Sequence, residues 1–225
     1  MNHSKTYILG SGHFGSRAFF FLRQRFPSAS LTVVDTRYNT LKKIVAEGGN
    51  AVALDAISFL QSSKERMDPD DWIIPAVPIH VAYEWLRREL KTETVFKTIP
   101  APKELESLLP NPIRGDNGQL YASNADFLCP DDCDEPDQYC TVTGEPRPQV
   151  LCDILTDLKL SDYYSICIVS SQLAPGVGGF RFQALLQALK ELKTHPGKCL
   201  VSTSCKCHCV IHSFEIQYKS NIPKI

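Results

Sequence analysis

Short apolar runs alternate with amphipathic stretches along the first half of the chain. The apolar runs YIL, LTVVD, NAVAL, DWIIPAV and ETVFKTI predict strands. The stretches between them, such as IHVAYEWLRREL at residues 79–90, space their apolar side chains as a helix does. Strands that alternate with helices favour a parallel sheet, so the pattern predicts an α/β fold with a doubly wound parallel sheet.

A glycine motif joins the first predicted strand to the first helix. Gly10, Gly12 and Gly15 in YILGSGHFG follow the pattern G-x-G-x-x-G, and the second strand closes on Asp35. This order of strand, glycine loop, helix, strand and acid is typical of a Rossmann dinucleotide-binding unit. Gly10 would make the tight turn, Gly12 would let the backbone approach a pyrophosphate, and Gly15 would let the helix pack on the sheet.

The acid that ends the second strand bears on the choice of nucleotide. The carboxylate of Asp35 would accept hydrogen bonds from ribose hydroxyls and repel a 2′-phosphate, which favours NAD(H) over NADP(H). Arg37 acts in the opposite direction, because a nearby arginine accommodates a 2′-phosphate. Two alternatives stay open, an empty glycine turn and a methyltransferase. A methyltransferase more usually shows an acid before its glycine run, and YILGSGHFG has none.

The same residues resemble a known family, the TrkA-N or RCK type of nucleotide-binding domain in potassium-transport regulators. The likeness covers residues 5–97, and it includes Asp55 in LDA. It implies that the glycines hold the phosphates, that Asp35 holds the ribose and that Asp55 lies near the nucleotide. The predicted NAD(H) site is Gly10, Gly12, His13, Phe14, Gly15, Asp35, Thr36, Arg37, Asp55 and Ala56. Residues beyond 97 show no C-terminal domain typical of those regulators.

Proline and cysteine mark the organisation of the rest of the chain. IPAPKELESLLPNP is rich in proline, which predicts a linker at 99–125 between a Rossmann-like domain at 1–98 and a smaller cysteine-rich α/β domain at 126–225. In the latter domain, Gly176, Gly178 and Gly179 precede a helix. With Arg181 they would seat an anion, or they would form a flexible turn.

Two short segments hold clustered cysteines. Residues 129–140 read CPDDCDEPDQYC, a polar loop that buries little and so needs an organising centre, and residues 205–209 read CKCHC. Together they would complete a four-ligand set for a [4Fe–4S] cluster or a structural zinc. The predicted ligands are Cys129, Cys133, Cys140, Cys205, Cys207 and His208, with Cys152 and His212 as further candidates. The alternative is that the segments lie apart and the cysteines are incidental.

Composition excludes some classes of function and location. The 225 residues carry a formal net charge of −1, without the basic excess of a nucleic-acid surface. We expect no membrane-spanning segment and no secretory signal, since the apolar runs are short. Nine cysteines in a cytoplasmic protein favour metal or redox chemistry over disulfides. By analogy with other Rossmann domains we predict a homodimer.

Three functions follow from these features. The first is an NAD(H)-binding regulator of TrkA-N type that responds to nucleotide or redox state. The second is an NAD-linked oxidoreductase or electron-transfer protein that uses the cysteine centre, and the third is a zinc-stabilised binding module. No side chain stands out in the sequence as a general acid or base; His80, which begins a helix after a strand end, is the weak candidate for a ligand contact.

Overall fold

The computed structural model describes residues 4–219, and they form two compact units of interleaved segments. The first unit comprises Met1–Val81, Cys129–Pro146 and Ser170–Leu186. The second comprises Ala82–Leu128, Arg147–Val169 and Gln187–Ile225. Within residues 4–219, no helix is both long enough and apolar enough to span a membrane.

Strands and short helices make up both units. The strands are β1 (Thr6–Leu9), β2 (Leu31–Asp35), β3 (Asn50–Ala53), β4 (Trp72–Pro75), β5 (Thr94–Ile99), β6 (Ile113–Arg114), β7 (Leu120–Ser123), β8 (Tyr164–Val169), β9 (Ser171–Ala174), β10 (Val177–Arg181), β11 (Gly197–Ser204) and β12 (His208–Tyr218). The α-helices are α1 (His13–Arg25), α2 (Tyr38–Ala46), α3 (Ala56–Ser63), α4 (Val81–Leu90), α5 (Glu104–Leu108), α6 (Leu151–Thr156) and α7 (Phe182–Leu192). The predicted α/β class is confirmed.

The sheet of the first unit has the order β3-β2-β1-β4-β10-β9. β3, β2, β1 and β4 are parallel, and their order 3-2-1-4 matches the first four strands of the classic dinucleotide-binding sheet. β1 and β2 are apolar, and Ile8 and Val33 are fully buried in them. α1 packs Ala18, Phe19 and Leu22 into the same core, as its helical spacing predicts.

Two strands from late in the chain complete this sheet. β10 pairs antiparallel with β4, and β9 pairs antiparallel with β10. ETVFKTI does not supply the fifth parallel strand that the pattern predicts, because β5 pairs with β12 in the other sheet. The sheet of the first unit is therefore mixed, and the prediction of an all-parallel sheet is wrong at this edge.

The sheet of the second unit has the order β6-β7-β12-β11-β8, and β5 also pairs with β12. β11 and β12 form an antiparallel hairpin, and β8 lies parallel to β11. The long strand β12 has room for two partners on one side, since β7 pairs with 208–211 and β5 with 213–218. Leu105, Leu120 and Leu151 are fully buried in the core against this sheet.

The units differ from the predicted domains. Residues 99–125 are not a simple linker, because they contain α5, β6 and β7 and bury Leu105 and Leu120. The prolines there bracket short elements and do not keep the segment extended. Residues 126–225 are shared between the two units, since 129–146 and 170–186 belong to the first. The outer ends of the two predicted domains, residues 1–3 and 220–225, lie outside the residues that the structure describes.

Candidate nucleotide site and the cysteine segments

The loop after β1 lies where parallel α/β sheets bind ligands. In the sheet, β2 and β3 lie on one side of β1, and β4 lies on the other side. The direction in which successive strands are added therefore reverses between β1 and β4. Ligands of open α/β sheets bind outside the carboxyl ends of strands at such a switch point. Gly10 follows β1 and Ala76 follows β4, and the Ala76 amide donates to the Leu9 carbonyl at 2.8 Å.

Two of the three motif glycines are required by the chain's own packing. Gly10 has φ +108°, and a Cβ there would collide with the carbonyl oxygen of Ala76. A Cβ at Gly15 would overlap the carbonyl oxygen of Gly10. The first glycine thus makes the turn and the third lets α1 approach the strand, as the motif predicts.

Gly12 differs, because among residues 4–219 no neighbouring atom and no positive φ requires a glycine there. It has an ordinary φ of −71° and ψ of −161° at the N-cap of α1. The nearest atom to a Cβ built on it is the Arg37 Nη2, at 3.5 Å. The missing side chain leaves the backbone of the helix N-terminus uncovered, and a bound group would need that space.

The N-terminus of α1 is suited to an anion. In residues 4–219, no side chain caps it, and its first turn contains no acid. Its first amides therefore keep their hydrogen-bonding capacity, and the helix dipole adds partial positive charge at this end. Backbone amides at a helix N-terminus are a common phosphate-binding arrangement.

Asp35 is buried at the end of β2 and is held from two sides. It accepts hydrogen bonds from the Ser11 amide at 2.6 Å and the Ser11 hydroxyl at 2.7 Å. It also accepts from the Arg37 amide at 2.8 Å and from Arg37 Nε and Nη2 at 3.1 and 2.9 Å. Ser11 lies inside the glycine loop, so Asp35 joins that loop to the end of β2.

These contacts keep Asp35 ionised. The hydrogen bond from Arg37 is the main cause of a strongly lowered pKa of Asp35, and the bonds from Ser11 act in the same direction against the effect of burial. The Arg37 side chain is more than half exposed, at 59%. Its hydrogen bonds to Asp35 therefore form at the surface of the protein.

The other predicted nucleotide contacts fall into two groups. His13, Phe14, Thr36 and Arg37 are exposed beside the loop and the end of β2. Asp55 is instead the N-cap of α3, where it accepts from the amides of Ile57 at 3.2 Å and Ser58 at 3.0 Å. Ala56, the first residue of α3, is buried. The structure gives Asp55 a capping role, and its predicted contact with the nucleotide stays a prediction.

The cysteine loop at 129–146 contacts the glycine loop of the same unit. Asp131 Oδ2 lies 2.6 Å from His13 Nε2, on the first residue of α1. The Cys133 carbonyl accepts from the Gly176 amide at 3.0 Å and from Gln172 Nε2 at 2.6 Å. The sequence does not link these residues, because they lie far apart along the chain.

The glycines at 176–179 have a structural use: Gly176 lies in the turn between β9 and β10, and Gly178 and Gly179 lie in β10. Gly176 has φ +66°, and a Cβ there would overlap the Asp131 carbonyl oxygen. Val177–Arg181 is strand β10, and the Arg181 guanidinium lies 4.0 Å from the centre of the Trp72 ring. The predicted flexible turn is wrong for Gly178 and Gly179, which are paired strand residues of β10. An anion seat that uses Arg181 stays a prediction.

The CKCHC segment forms the turn of the β11–β12 hairpin. The Cys205 amide donates to the His208 carbonyl at 3.0 Å, and Cys205 Sγ accepts from the amides of Cys207 at 3.4 Å and His208 at 3.3 Å. Cys205 Sγ lies 3.8 Å from His208 Nδ1. Arg147 Nε donates to Cys207 Sγ at 3.0 Å. This arginine is a contact that the sequence analysis missed.

The remaining cysteines and His212 pack in the interior of the second unit. Burial raises the pKa of Cys199 and that of Cys209 to about 12, and it also raises the pKa of Cys152. His212 stacks on Tyr83 with ring centres 4.1 Å apart, and burial lowers its pKa to about 4. His212 is therefore neutral near pH 7 within an aromatic cluster. Cys199 is fully buried in β11, so it is a packing residue.

The predicted metal ligands fall in different units. Cys129, Cys133 and Cys140 belong to the first unit, and Cys205, Cys207 and His208 to the second. Over residues 4–219, no group of three or more His, Cys, Asp or Glu side chains is arranged to hold a metal ion. A [4Fe–4S] or zinc centre stays a prediction.

Comparison with known proteins adds one finding. The chain has no match among the curated proteins with which it was compared. A family model with the description "Uncharacterized protein, C-terminal domain" matches residues 82–217, and this match begins at the first residue of the second unit. The match covers more than half of the chain, and so the protein belongs to this family, AF_1314_C.

Proposed function

We propose that the first unit binds NAD(H) at the glycine loop and that the protein acts as a nucleotide-responsive regulator of TrkA-N type. Gly12 is the observation that carries the proposal. Gly10 and Gly15 are explained by turn and packing, whereas Gly12 leaves open space at an uncapped helix N-terminus. A pyrophosphate is the group that uses both features, because it needs close backbone approach and amide donors.

The direct link between the glycine loop and Asp35 also suits a dinucleotide. Ser11, within the glycine loop, donates to the carboxylate of Asp35 from both its amide and its hydroxyl. The phosphate donors and the ribose acceptor are therefore held in one rigid arrangement. An adenosine diphosphate half would place its pyrophosphate at α1 and its ribose at Asp35.

The loop at 129–146 supports a regulatory role. Asp131 brings a carboxylate to His13, the first residue of α1, where the phosphates of the nucleotide would lie. Two negative groups at one helix N-terminus repel each other, so nucleotide binding would weaken the contact of this loop. The loop would then report the occupancy of the site. That the protein forms a homodimer and is cytoplasmic stays a prediction.

Arg37→Gln is expected to raise the preference for NADH over NADPH. The change removes two hydrogen bonds from Asp35 and removes a cation that suits a 2′-phosphate. Because Arg37 is mostly exposed, the ratio of the two dissociation constants should change by only roughly two- to fivefold. Fluorescence titration with each nucleotide measures the ratio.

The matched control for this change is Arg25→Gln. Arg25 lies at the opposite end of α1 and its guanidinium lies over the ring of Phe26, 5.5 Å from its centre. The Arg25→Gln change removes the same charge and should leave the ratio of the NADH and NADPH dissociation constants unaltered. If Arg37→Gln and Arg25→Gln give the same ratio as the wild type, Arg37 has no part in nucleotide recognition.

Asp131→Asn is expected to tighten NADH binding by roughly two- to fivefold, because it removes a like charge from the phosphate end of the site. Asp134→Asn is the control, since it removes one charge from the same loop at an exposed position. Calorimetry at low and high salt measures both. If the affinity for NADH rises equally in the two variants, the effect comes from the charge of the loop in general. That result would contradict a specific role of the contact between Asp131 and His13.

A further inference from the structure

The charges of the protein are distributed unevenly along the chain. Residues 1–46 contain seven Lys or Arg side chains and a single acid, Asp35, although the whole chain has 24 basic and 25 acidic side chains. Asp35 is buried and pairs with Arg37, so it leaves the other bases uncompensated. The beginning of the chain is therefore cationic within a protein whose formal net charge is −1.

Four of these bases lie on the two helices that cover one face of the first sheet. They are Arg23 and Arg25 at the end of α1, and Lys42 and Lys43 in α2. Both helices pack into the same hydrophobic core. Arg23 Nη2 lies 3.0 Å from the position of a Cβ on Gly48, just beyond the end of α2. The outer sides of the two helices are therefore neighbours, and we call them the basic surface.

The bases of this surface are not neutralised by the protein. Within residues 4–219, no acidic side chain forms an ion pair with any of the four, and the exposed Glu47 after α2 is no exception. The cations of Arg25 and Lys42 lie instead over aromatic rings, 5.5 Å from the centre of Phe26 and 4.8 Å from the centre of Tyr38. Their charge remains available to an external anion.

Large apolar side chains are exposed on the same two helices. Phe20 of α1 is 46% exposed, and Tyr38 and Val45 of α2 are 64% and 57% exposed. One exposed apolar side chain on a surface is ordinary, whereas several among unpaired bases are informative. A partner that suits this surface offers both negative charge and an apolar layer.

We propose that the basic surface docks on an anionic lipid bilayer. A bilayer presents negative headgroups directly above an acyl layer, and helices that lie on membranes use Lys and Arg for the first and Phe for the second. Arg25, Lys42 and Lys43 would contact lipid phosphates, while Phe20 and Val45 would enter the boundary between headgroups and acyl chains. The helices stay packed on their sheet, so the contact is peripheral, and it does not depend on nucleotide binding.

The acidic loop at 129–146 is too far along α1 to cancel this attraction. Asp131 of that loop contacts His13, the first residue of α1, whereas Arg25 is the last. The 13 residues of α1 place its two ends about 20 Å apart. That distance is about twice the Debye length at physiological salt, so the acids of the loop are screened from the bases at the far end of the helix.

Two other partners fit the basic surface less well. A nucleic acid offers phosphates and bases for stacking, but it has no apolar layer for Val45, which carries no ring to stack on a base. A second copy of the chain that presents the same surface would bring like charges together, which opposes association. Both partners remain outcomes of the test.

Sedimentation of the full-length chain with lipid vesicles measures the proposed contact. The chain should bind vesicles of equal parts phosphatidylcholine and phosphatidylglycerol at least roughly tenfold more tightly than vesicles of phosphatidylcholine alone. Binding should weaken as the salt concentration rises. The double change Lys42→Gln and Lys43→Gln should weaken binding to the anionic vesicles at least roughly tenfold, because each base near such a surface contributes roughly fivefold.

The matched control is the double change Lys64→Gln and Arg66→Gln, which removes two charges just after α3. α3 packs on the opposite face of the sheet, because its Phe59 contacts the ring of Tyr7 at 5.3 Å, and successive residues of a strand point to opposite faces. Ile8, the next residue, lies in the core with α1 and α2. The control should leave vesicle binding nearly unaltered, and urea denaturation shows that both double variants are folded.

Phe20→Trp gives a second readout, which charge alone would not change. The two native tryptophans, Trp72 and Trp85, are buried, so a tryptophan at position 20 reports on the basic surface. Its emission should shift to shorter wavelength with the anionic vesicles and be quenched by brominated lipids. Equal binding to the two kinds of vesicle, or an equal loss in the control variant, would overturn the proposal. So would the absence of the shift, tighter binding to a single-stranded oligonucleotide than to vesicles, or self-association that the Lys42 and Lys43 changes abolish.

Discussion

Gly15→Ala is expected to lower the free energy of unfolding by about 1–3 kcal/mol, the usual cost of adding a methyl group to a filled space. The added Cβ would overlap the carbonyl oxygen of Gly10. That oxygen has no easy way to move, because Gly10 itself packs against the Ala76 carbonyl and its amide donates to the Val34 carbonyl at 2.7 Å. α1 would have to shift away from β1.

Urea denaturation followed by tryptophan fluorescence measures this loss, since Trp72 lies in β4 beside β1. Gly12→Ala is the matched control: it adds the same methyl group three residues earlier, where the nearest atom is 3.5 Å away. It should cost less than about 1 kcal/mol, the scale of an N-cap change. Equal losses in the two variants would contradict the packing that we describe.

Gly12→Val is expected to weaken NADH binding at least tenfold, or by about 1.4 kcal/mol or more, while the fold stays intact. Its φ and ψ lie in the extended region, which valine adopts readily. Its side chain would fill the space above the α1 N-terminus that a pyrophosphate needs. Calorimetry gives the affinity, and circular dichroism with urea denaturation shows whether the variant is folded.

The two glycine variants give opposite outcomes. Gly15→Ala should reduce stability first, and any loss of NADH binding should follow from it. Gly12→Val should reduce binding with little change in stability. If Gly12→Val binds NADH as tightly as the wild type, the α1 N-terminus does not receive the pyrophosphate and the proposed function is wrong at its main contact.

Local pattern was sufficient to predict the first unit as far as β4. The alternation of apolar runs with helical spacing, and the positions of Gly10, Gly15 and Asp35, depend on neighbours within one strand–helix–strand unit. The structure confirms the turn at Gly10 and the close helix packing at Gly15. These features are set by backbone sterics, which a short stretch of sequence expresses directly.

Long-range pairing was not predictable in the same way. β10 adds to β4 from about a hundred residues further along the chain, and β5 leaves the first sheet to pair with β12. An apolar strand carries no signal of which edge it will join. The proline-rich stretch was read as a linker because proline frequency does not show that short elements between prolines bury Leu105 and Leu120.

The candidate sites show the same division. The glycine loop follows from its motif, but the contacts of Asp131 with His13 and of Arg147 with Cys207 join residues 118 and 60 positions apart. No spacing rule connects them. Asp55 illustrates the reverse case: the family resemblance implies a place near the nucleotide, and the structure shows an N-cap for α3, a role that an acid before a helix also predicts.

Calorimetric titration of NADH into the full-length wild-type protein tests the central claim most directly. The account predicts saturable binding of one NADH per chain, with weaker binding of NADPH because Asp35 repels a 2′-phosphate. Heats that do not differ from dilution at millimolar NADH, or binding of NADPH that is tighter than that of NADH, would contradict it.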